Sequence, residues 1–207
     1  MTPLKNEALA ACQSALRPLG FVKRDGVLLQ GRNGGASGWI GLNVATHGLP
    51  NSVKVGPVVG VYFTHYGEIA RALRADIPRK PTPIISKPLG YLMPENSFRA
   101  WEFPQGGDSE RIATSLADSV RIYGEPFIER YATWDFFSRE IESSEFLMEH
   151  EKAKSLPIIF AINGDLAQAN SIVESELARV SDLDDIYARS YRDFAGKFFD
   201  RFGSAVD

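Results

Sequence analysis

The clearest chemical potential in this sequence lies in a group of basic side chains before the middle of the chain. They are Arg71, Arg74, Arg79, Lys80 and Lys87. Guanidinium and ammonium groups bind phosphates and carboxylates, so this group predicts an anion-binding surface. The alternative, which we favour, is a solvent-exposed helix and loop. Nucleic acid is not the expected anion, because its binding calls for a basic domain with interleaved aromatic residues and the chain has a pI near 5.7.

The histidines do not predict a metal site. Zinc needs clustered histidine, cysteine or carboxylate donors, and the 3 histidines of this chain are far apart in sequence. His47 and His65 end two predicted strands, but pairing of those strands around Pro50 would separate them by roughly 40 Å. His150 lacks the second histidine of a metalloprotease helix. We therefore expect no metal and no cofactor.

A run of glutamates in the second half is a candidate for acid and base catalysis. It comprises Glu140, Glu142, Glu145, Glu149 and Glu151. Two carboxylates can divide these roles when they line a cleft and are differently buried. Because Phe146 is the only aromatic residue within the run, we predict a solvated helix face instead.

Motifs of nucleotide-binding proteins and hydrolases are absent. Residues 35–38, Gly-Ala-Ser-Gly, miss the Gly-x-Ser-x-Gly nucleophile elbow by one position. The Gly-Lys-Ser/Thr phosphate loop and the dinucleotide Gly-x-Gly-x-x-Gly do not occur. The catalytic residues therefore stay unknown, and the sequence favours a protein without enzymatic activity.

Two long strands within residues 38–66 are the element around which the other elements are arranged. Apolar residues recur there at every second position, namely at Ile40, Leu42, Val44, Val59, Val61 and Phe63. This period places apolar side chains on one face of a sheet. Residues 48–52 have the composition of a turn, so a β-hairpin is predicted.

Shorter elements complete the first half of the chain. Helical spacing predicts one helix before Gly20 and another over residues 68–75. Asp25-Gly26, between apolar residues, predicts a tight hairpin. Residues 84–86 and 98–103 are candidate strands, the first of them in a proline-rich segment that does not suit a central strand.

The second half is predicted to be helical. Gly124 is expected to end one helix and Pro126 to begin the next. Residues 140–154 suggest a connecting helix, and residues 156–162 and 166–180 suggest a helix pair.

Local signals predict how the last helices begin and end. Gly164 suits a left-handed C-cap, and Asp165 suits an N-cap. The final helix is expected to begin near Ser181 and to bury an aromatic stripe of Tyr187, Tyr191, Phe194, Phe198 and Phe202.

These elements predict an α+β fold with a mainly antiparallel sheet in the N-terminal half, packed against a C-terminal helical bundle. We expect residues 1–105 to form the sheet and residues 106–207 the bundle, within one compact unit. A content of 44% hydrophobic and 24% charged residues is that of a globular protein.

The sequence also predicts where the protein works. Its single cysteine, Cys12, excludes an internal disulfide and suits a reducing compartment. The N-terminus lacks the pattern of a signal peptide, and no apolar run approaches the roughly 20 residues that span a bilayer. We predict a cytoplasmic protein that does not contact membranes.

Charge is divided unequally between the two halves. Residues 1–104 hold 12 basic and 6 acidic residues, whereas residues 105–207 hold 11 and 20. An acidic helical half favours association with a basic protein partner. We therefore predict a non-enzymatic binding module.

Three phrases resemble those of bacterial proteins grouped only as a domain of unknown function. They are Arg17-Pro18-Leu19-Gly20-Phe21, Val58-Val59-Gly60-Val61 and Pro88-Leu89-Gly90-Tyr91-Leu92-Met93-Pro94. The resemblance covers about the first 105 residues and transfers no catalytic residue. The expected fold is also similar to that of bacterial immunity proteins, which are commonly acidic, and this analogy suggests an immunity-like role.

Two other functions stay open at this point. One is an enzyme that acts on a small molecule in a pocket between sheet and bundle, with Trp101 and the proline-rich segment at its wall. The other is a structural subunit of a homo-oligomer.

Overall fold

The computed structural model describes residues 3–47, 49, 51–143 and 145–203 of the chain. An antiparallel sheet lies in the N-terminal half and helices make up the C-terminal half, which confirms the predicted α+β class. The chain divides into two compact units, unit 1 with residues 1–64 and 80–134, and unit 2 with residues 65–79 and 135–207. Across the described ranges, every helix is too short or too polar to cross a membrane.

In the described part of unit 1, six strands form an antiparallel sheet in the order β1-β2-β3-β4-β5, and β6 also pairs with β4. The strands are β1 (Val22–Arg24), β2 (Val27–Gly31), β3 (Ala36–Ala45), β4 (Ser52–Phe63), β5 (Ile85–Pro88) and β6 (Trp101–Pro104). The predicted hairpins β1–β2 and β3–β4 are both confirmed. β5 and β6 pair with different stretches of the long strand β4.

The β3–β4 hairpin supplies the core of the sheet. Ile40 lies opposite Val59 in its register, and both are fully buried, as the alternation of apolar residues predicts. Gly48 and Pro50, which belong to the predicted turn, lie outside the described residues.

β4 ends sooner than the sequence predicts. The predicted strand region extends to residue 66, but β4 ends at Phe63 and helix α2 (Thr64–Leu73) follows directly. The segment after Phe63 has helical spacing, because its buried apolar side chains are those of Tyr66, Ile69, Ala70 and Leu73. His65 therefore lies in the first turn of a helix and not at the end of a strand.

The helices of unit 1 are α1 (Pro3–Leu16), α3 (Ser109–Ser119) and α4 (Glu125–Tyr131). α1 packs against α3, and α4 contacts β3 and β4. The prediction that Gly124 ends a helix is wrong, because a π-helical turn, Val120–Gly124, joins α3 to α4. A Cβ at Gly124 would lie only 3.2 Å from a methyl group of Val59, so this glycine allows the turn to approach β4 closely.

The proline-rich segment lies directly against the sheet. Trp39 and Gly60 are partners in the β3–β4 register, and the Trp39 indole N–H donates to the Pro81 carbonyl at 3.1 Å. A Cβ at Gly60 would lie 2.8 Å from Pro83 Cβ and 2.6 Å from the Ile85 carbonyl oxygen. The glycine is therefore required by the close approach of this segment to β4.

Unit 2 contains α2 and the later helices α5 (Trp134–Glu140), α6 (Glu149–Ile162), α7 (Leu166–Arg179) and α8 (Ile186–Phe202). The first residues of α2 and α5, Thr64 and Trp134, belong to unit 1. The predicted connecting helix over residues 140–154 is wrong, because turns and bends separate α5 from α6. Ile141 and Leu147 are both buried there, and a spacing of six residues would place them on different faces of a helix.

α8 begins at Ile186 and not near Ser181. The Asp185 carboxylate accepts a hydrogen bond from the Ala188 backbone N–H at 2.7 Å and so forms the N-cap. The predicted burial of the aromatic stripe is confirmed at its centre, where Tyr191, Phe194 and Phe198 are at most 1% exposed.

A proline inside α6 determines one contact between α6 and α8. Pro157 has no N–H to donate to the carbonyl of Ala153, four residues earlier. The Tyr191 hydroxyl of α8 donates to that carbonyl at 3.1 Å. A side chain of one helix thus supplies the hydrogen bond that the backbone of another lacks.

Candidate functional site

The five basic residues of the predicted anion-binding surface are distributed between the two units. Arg71, Arg74 and Arg79 belong to unit 2, whereas Lys80 and Lys87 belong to unit 1. Arg74 is buried, and Arg79 and Lys80 are exposed. Anion binding by this set stays a prediction.

Arg74 lies in a polar cluster inside unit 2. Its Nη2 donates to Asp76 at 2.8 Å and to Glu151 at 2.9 Å, and its Nη1 donates to the Ser155 hydroxyl at 3.2 Å. The Tyr66 hydroxyl also donates to Ser155, at 3.0 Å. The hydrogen bond from Arg74 lowers the pKa of Asp76, and burial raises the pKa of Tyr66. Asp76 and Glu151 therefore neutralise Arg74, and the bonds to Glu151 and Ser155 link this residue, which follows α2, to α6.

Trp101, the predicted wall of a pocket, is buried in unit 1. It is 6% exposed, and its indole N–H donates to the Ser115 hydroxyl at 3.4 Å. The Arg99 guanidinium lies over its ring, 5.4 Å from the centroid. A separate groove of about 250 Å³ includes the neighbours Arg99 and Ala100 and the exposed ring of Phe98.

The glutamate run does not form the single helix face that the sequence predicts. Glu140 ends α5, Glu145 lies in a turn, and Glu149 begins α6. Glu151 is bound to Arg74, as described above. Within the described ranges, no group of three or more histidine, cysteine, aspartate or glutamate residues is arranged to hold a metal ion.

A groove of about 760 Å³ lies in unit 2 between α6 and α7. We call it the α6–α7 groove. Its apolar lining comes from Ala153, Leu156 and Ile172. Its polar and charged lining comes from Glu142, Glu149, His150, Lys152, Gln168, Ser171, Ser175, Glu176, Arg179 and Tyr187. The groove therefore combines an apolar strip with ionisable groups.

The connection between the two helices forms as the sequence predicts. Gly164 adopts φ +83°, and the Asp165 N–H donates back to the Phe160 carbonyl at 2.9 Å. The Asp165 carboxylate then accepts from the Gln168 N–H at 3.0 Å and caps α7. This turn sets the two helices side by side and so creates the groove.

One end of the α6–α7 groove carries a cluster of charged and aromatic groups. Arg179 donates to both carboxylate oxygens of Glu176, at 2.7 and 2.6 Å. The Tyr187 hydroxyl of α8 donates to Glu176 Oε1 at 2.5 Å. The hydrogen bond from Arg179 lowers the pKa of Glu176, while burial and the bond to Glu176 raise the pKa of Tyr187 to about 12. At neutral pH the carboxylate is therefore ionised and the phenol protonated.

Two cations lie over the Tyr187 ring. The exposed Arg179 guanidinium is 5.6 Å from its centroid, and the buried Lys154 ammonium is 5.8 Å from it. Lys154 is only 6% exposed and donates to the Ser190 hydroxyl at 3.0 Å. The ring also stacks on Tyr191 with the centroids 6.0 Å apart. These contacts hold the ring in place.

The loop between α7 and α8 borders this cluster and is acidic. It contains Asp182, Asp184 and Asp185. Leu183 is 41% exposed, and Ile186, next to Tyr187, is 81% exposed. Arg192 donates from one guanidinium nitrogen to three loop carbonyls, those of residues 180, 181 and 183. The loop therefore presents carboxylates and apolar side chains on a backbone that is held from α8.

This arrangement suits binding more than proton transfer. Neither Glu176 nor Tyr187 changes protonation near neutral pH, because their pKa values are displaced away from it in opposite directions. The aromatic stripe of the sequence predicts Tyr187 in the core, whereas Tyr187 is half-buried beside the groove, and Glu176 and Arg179 are not among the predicted site residues. Their spacing of three residues on a helix was the one available signal.

Comparisons of this chain with protein-family models, curated proteins and solved structures found no significant match.

Proposed function

We propose that this chain is a non-enzymatic protein-binding module and that the α6–α7 groove holds a basic helical segment of its partner. The observation that carries the proposal is the composition of the groove, with an apolar strip and glutamates beside it. Helix-in-groove recognition uses this combination, because an amphipathic helix places its apolar face in the groove and its charges along the edges.

The dimensions of the groove support a helix as the ligand. α6 and α7 each contain 14 residues, which corresponds to about 21 Å of helix. The apolar side chains Leu156 and Ile172 come from both helices and line the groove, with Leu156 buried beneath it and Ile172 half-buried.

The charge of unit 2 supports a basic partner. Unit 2 carries 17 acidic and 11 basic residues, whereas unit 1 carries 9 and 12. An acidic surface attracts a basic protein and orients it before contact. Neutralisation of a basic toxin, as immunity proteins perform, is the biological setting that we propose for this surface.

Selection from a peptide library tests the proposal. Random peptides of about 16 residues, long enough to span the groove as a helix, are displayed and selected on the purified full chain. We expect enrichment of lysine and arginine on one helical face. The double variant Glu142→Lys/Glu149→Lys, which reverses charge at the groove, should weaken the selected peptides by about tenfold or more.

Glu95→Lys/Glu129→Lys is the matched control. Both glutamates are exposed and belong to unit 1, so their reversal changes the charge of the chain by the same amount but not the groove. It should leave binding unchanged. The proposal is wrong if no basic peptides are enriched, or if the selected peptides bind the groove variant as tightly as the original chain.

A further inference from the structure

The geometry points to a guanidinium receptor formed by Glu176 and Tyr187, and we propose that an arginine of the partner segment enters it in place of Arg179. This inference rests on the proposed function, because the receptor lies at one end of the α6–α7 groove. In the free protein, Arg179 occupies the receptor as an internal ligand.

The contacts of Arg179 are those by which proteins hold an arginine ligand. Its Nε and Nη2 donate to the two oxygens of Glu176, and its guanidinium carbon lies over the Tyr187 ring, 5.6 Å from the centroid. A planar fork of donors matches a carboxylate, and an aromatic face attracts a cation. Lysine has neither the fork nor the flat surface, so the receptor discriminates between the two cations.

The receptor is more rigid than its present occupant. The Glu176 side chain is only 14% exposed, whereas that of Arg179 is 58% exposed. Glu176 is also held by the Tyr187 hydroxyl, and Tyr187 stacks on the buried Tyr191. These contacts do not involve Arg179. The anion and the ring therefore stay in place when the guanidinium leaves.

Exchange of one arginine for another is physically reasonable at this position. Arg179 lies three residues from Glu176 on one helix and its side chain is 58% exposed, so water can solvate the guanidinium when it leaves the carboxylate. A docked partner segment would hold its own arginine beside the receptor at a high effective concentration. The exposed Ile186 and Leu183 offer apolar contacts next to it.

The substitution Arg179→Ala tests the receptor directly, because it removes the internal ligand. The probes are N-acetyl-arginine amide and N-acetyl-lysine amide, titrated into the full chain while the amide NMR signals of residues 176 and 187 are recorded. We expect the variant to bind the arginine probe about tenfold more tightly than the original chain and to prefer it over the lysine probe.

Two double variants separate the receptor from a general charge effect. Arg179→Ala/Glu176→Gln should lose binding of the arginine probe. Arg179→Ala/Glu174→Gln should retain it, since Glu174 is an exposed residue of the same helix outside the groove lining. Arg179→Gln provides a second way to empty the receptor if the alanine variant does not fold. Equal binding of the two probes, or no gain over the original chain, would overturn the inference.

The selected peptides distinguish failure of this inference from failure of the proposed function. Peptides that bind the groove equally well after every arginine is replaced by lysine would leave the binding module intact and refute the receptor. Binding of the arginine probe without any enrichment of basic peptides would support the receptor and refute helix binding in the groove.

Discussion

At the scale of single residues, Arg74 shows how a basic side chain becomes part of a protein interior. The sequence does not distinguish it from the exposed Arg79, because both belong to one basic stretch. Its partner Glu151 is 77 residues away in the chain, and no local pattern connects the two. The position of Ser155 and Tyr66 around the same guanidinium is equally a product of tertiary structure.

The substitution Arg74→Met should destabilise the protein. It retains much of the side-chain volume but leaves Asp76 and Glu151 without their cation. We expect a loss of about 2–3 kcal/mol, below the roughly 3–5 kcal/mol of a fully buried pair, because both carboxylates can regain water. Urea unfolding measures the loss. Arg79→Met, at an exposed position, should change stability by less than about 0.5 kcal/mol. Equal losses would contradict a structural role for the cluster.

Tyr191 and Pro157 should be energetically coupled. Tyr191→Phe removes the donor to the Ala153 carbonyl and should cost about 1–2 kcal/mol, because that carbonyl is left without a partner. Pro157→Ala restores a backbone N–H that can reach the same carbonyl. In the Pro157→Ala background the effect of Tyr191→Phe should fall to less than half, as measured by a double-mutant cycle in urea. If the effects of the two substitutions on stability were additive, Pro157 would play no part in the energetics of the Tyr191 hydrogen bond.

At the scale of elements, the hairpins follow from local sequence, whereas several helix boundaries do not. The alternation around Ile40 and Val59 is preserved because one face of the sheet must be buried. The start of α8 depends on Asp185, which competes as N-cap with Ser181 and Asp182 nearby. The helical backbone continues through Gly124 because this residue packs against Val59, which is far away in the chain.

The candidate site is less predictable than the elements that form it. The turn at Gly164 and the cap at Asp165 are visible in the sequence. The cluster of Glu176, Arg179 and Tyr187 is not, because it depends on how α8 returns against α7 after the loop.

Glycine substitutions should have opposite effects in a strand and in a helix. Gly60→Ala places a Cβ 2.6 Å from the Ile85 carbonyl oxygen, so either the proline-rich segment or β4 must shift, at a cost of about 1–3 kcal/mol. Gly196→Ala in α8 meets no atom within 4 Å and should stabilise by about 0.5–1 kcal/mol through helix propensity. Thermal unfolding of both variants measures the difference. A stabilised Gly60→Ala protein would refute the close approach.

At the scale of the whole molecule, the charge difference between the two units is smaller than that between the two halves of the sequence, because unit 1 carries 9 acidic residues whereas residues 1–104 carry 6. The predicted helical half begins at residue 106, yet α3 and α4 belong to unit 1. Unit 2 keeps most of the acidic excess, with 17 acidic and 11 basic residues. The excess of acidic residues can be counted from the sequence, whereas its division between the two units is known only from the fold.

Acid should weaken unit 2. Arg74 and Arg179 lower the pKa values of Asp76 and Glu176 in the folded protein, below about 3.9 and 4.3 for the unfolded chain. Their contribution to stability is therefore present above those values and is lost as pH falls through the folded pKa values. Urea unfolding at pH 7 and near pH 3, followed by circular dichroism, measures this loss. Asp76→Asn/Glu176→Gln should reduce the pH dependence.

The tryptophans provide an internal control for that experiment. Trp39, Trp101 and Trp134 all belong to unit 1, and Trp134 packs edge-to-face on Phe63 at 5.0 Å. Tryptophan fluorescence therefore reports on unit 1, whereas helical circular dichroism also includes unit 2. The double variant should change the pH dependence of the circular dichroism signal. If the circular dichroism signal of the double variant had the same pH dependence as that of the original chain, the loss of stability in acid could not be assigned to Asp76 and Glu176.

The interruption of unit 1 by α2 has a consequence for biosynthesis. A ribosome completes residue 134, the last of unit 1, before it begins α6. With 77 residues between Arg74 and Glu151, translation at roughly 5–20 residues per second separates them by about 4–15 s. During that interval the nascent chain carries Arg74, just after α2, before its partner Glu151 on α6 has been synthesised. The sheet of unit 1 can therefore assemble first, and α2 acquires its neighbours only when the last third of the protein emerges.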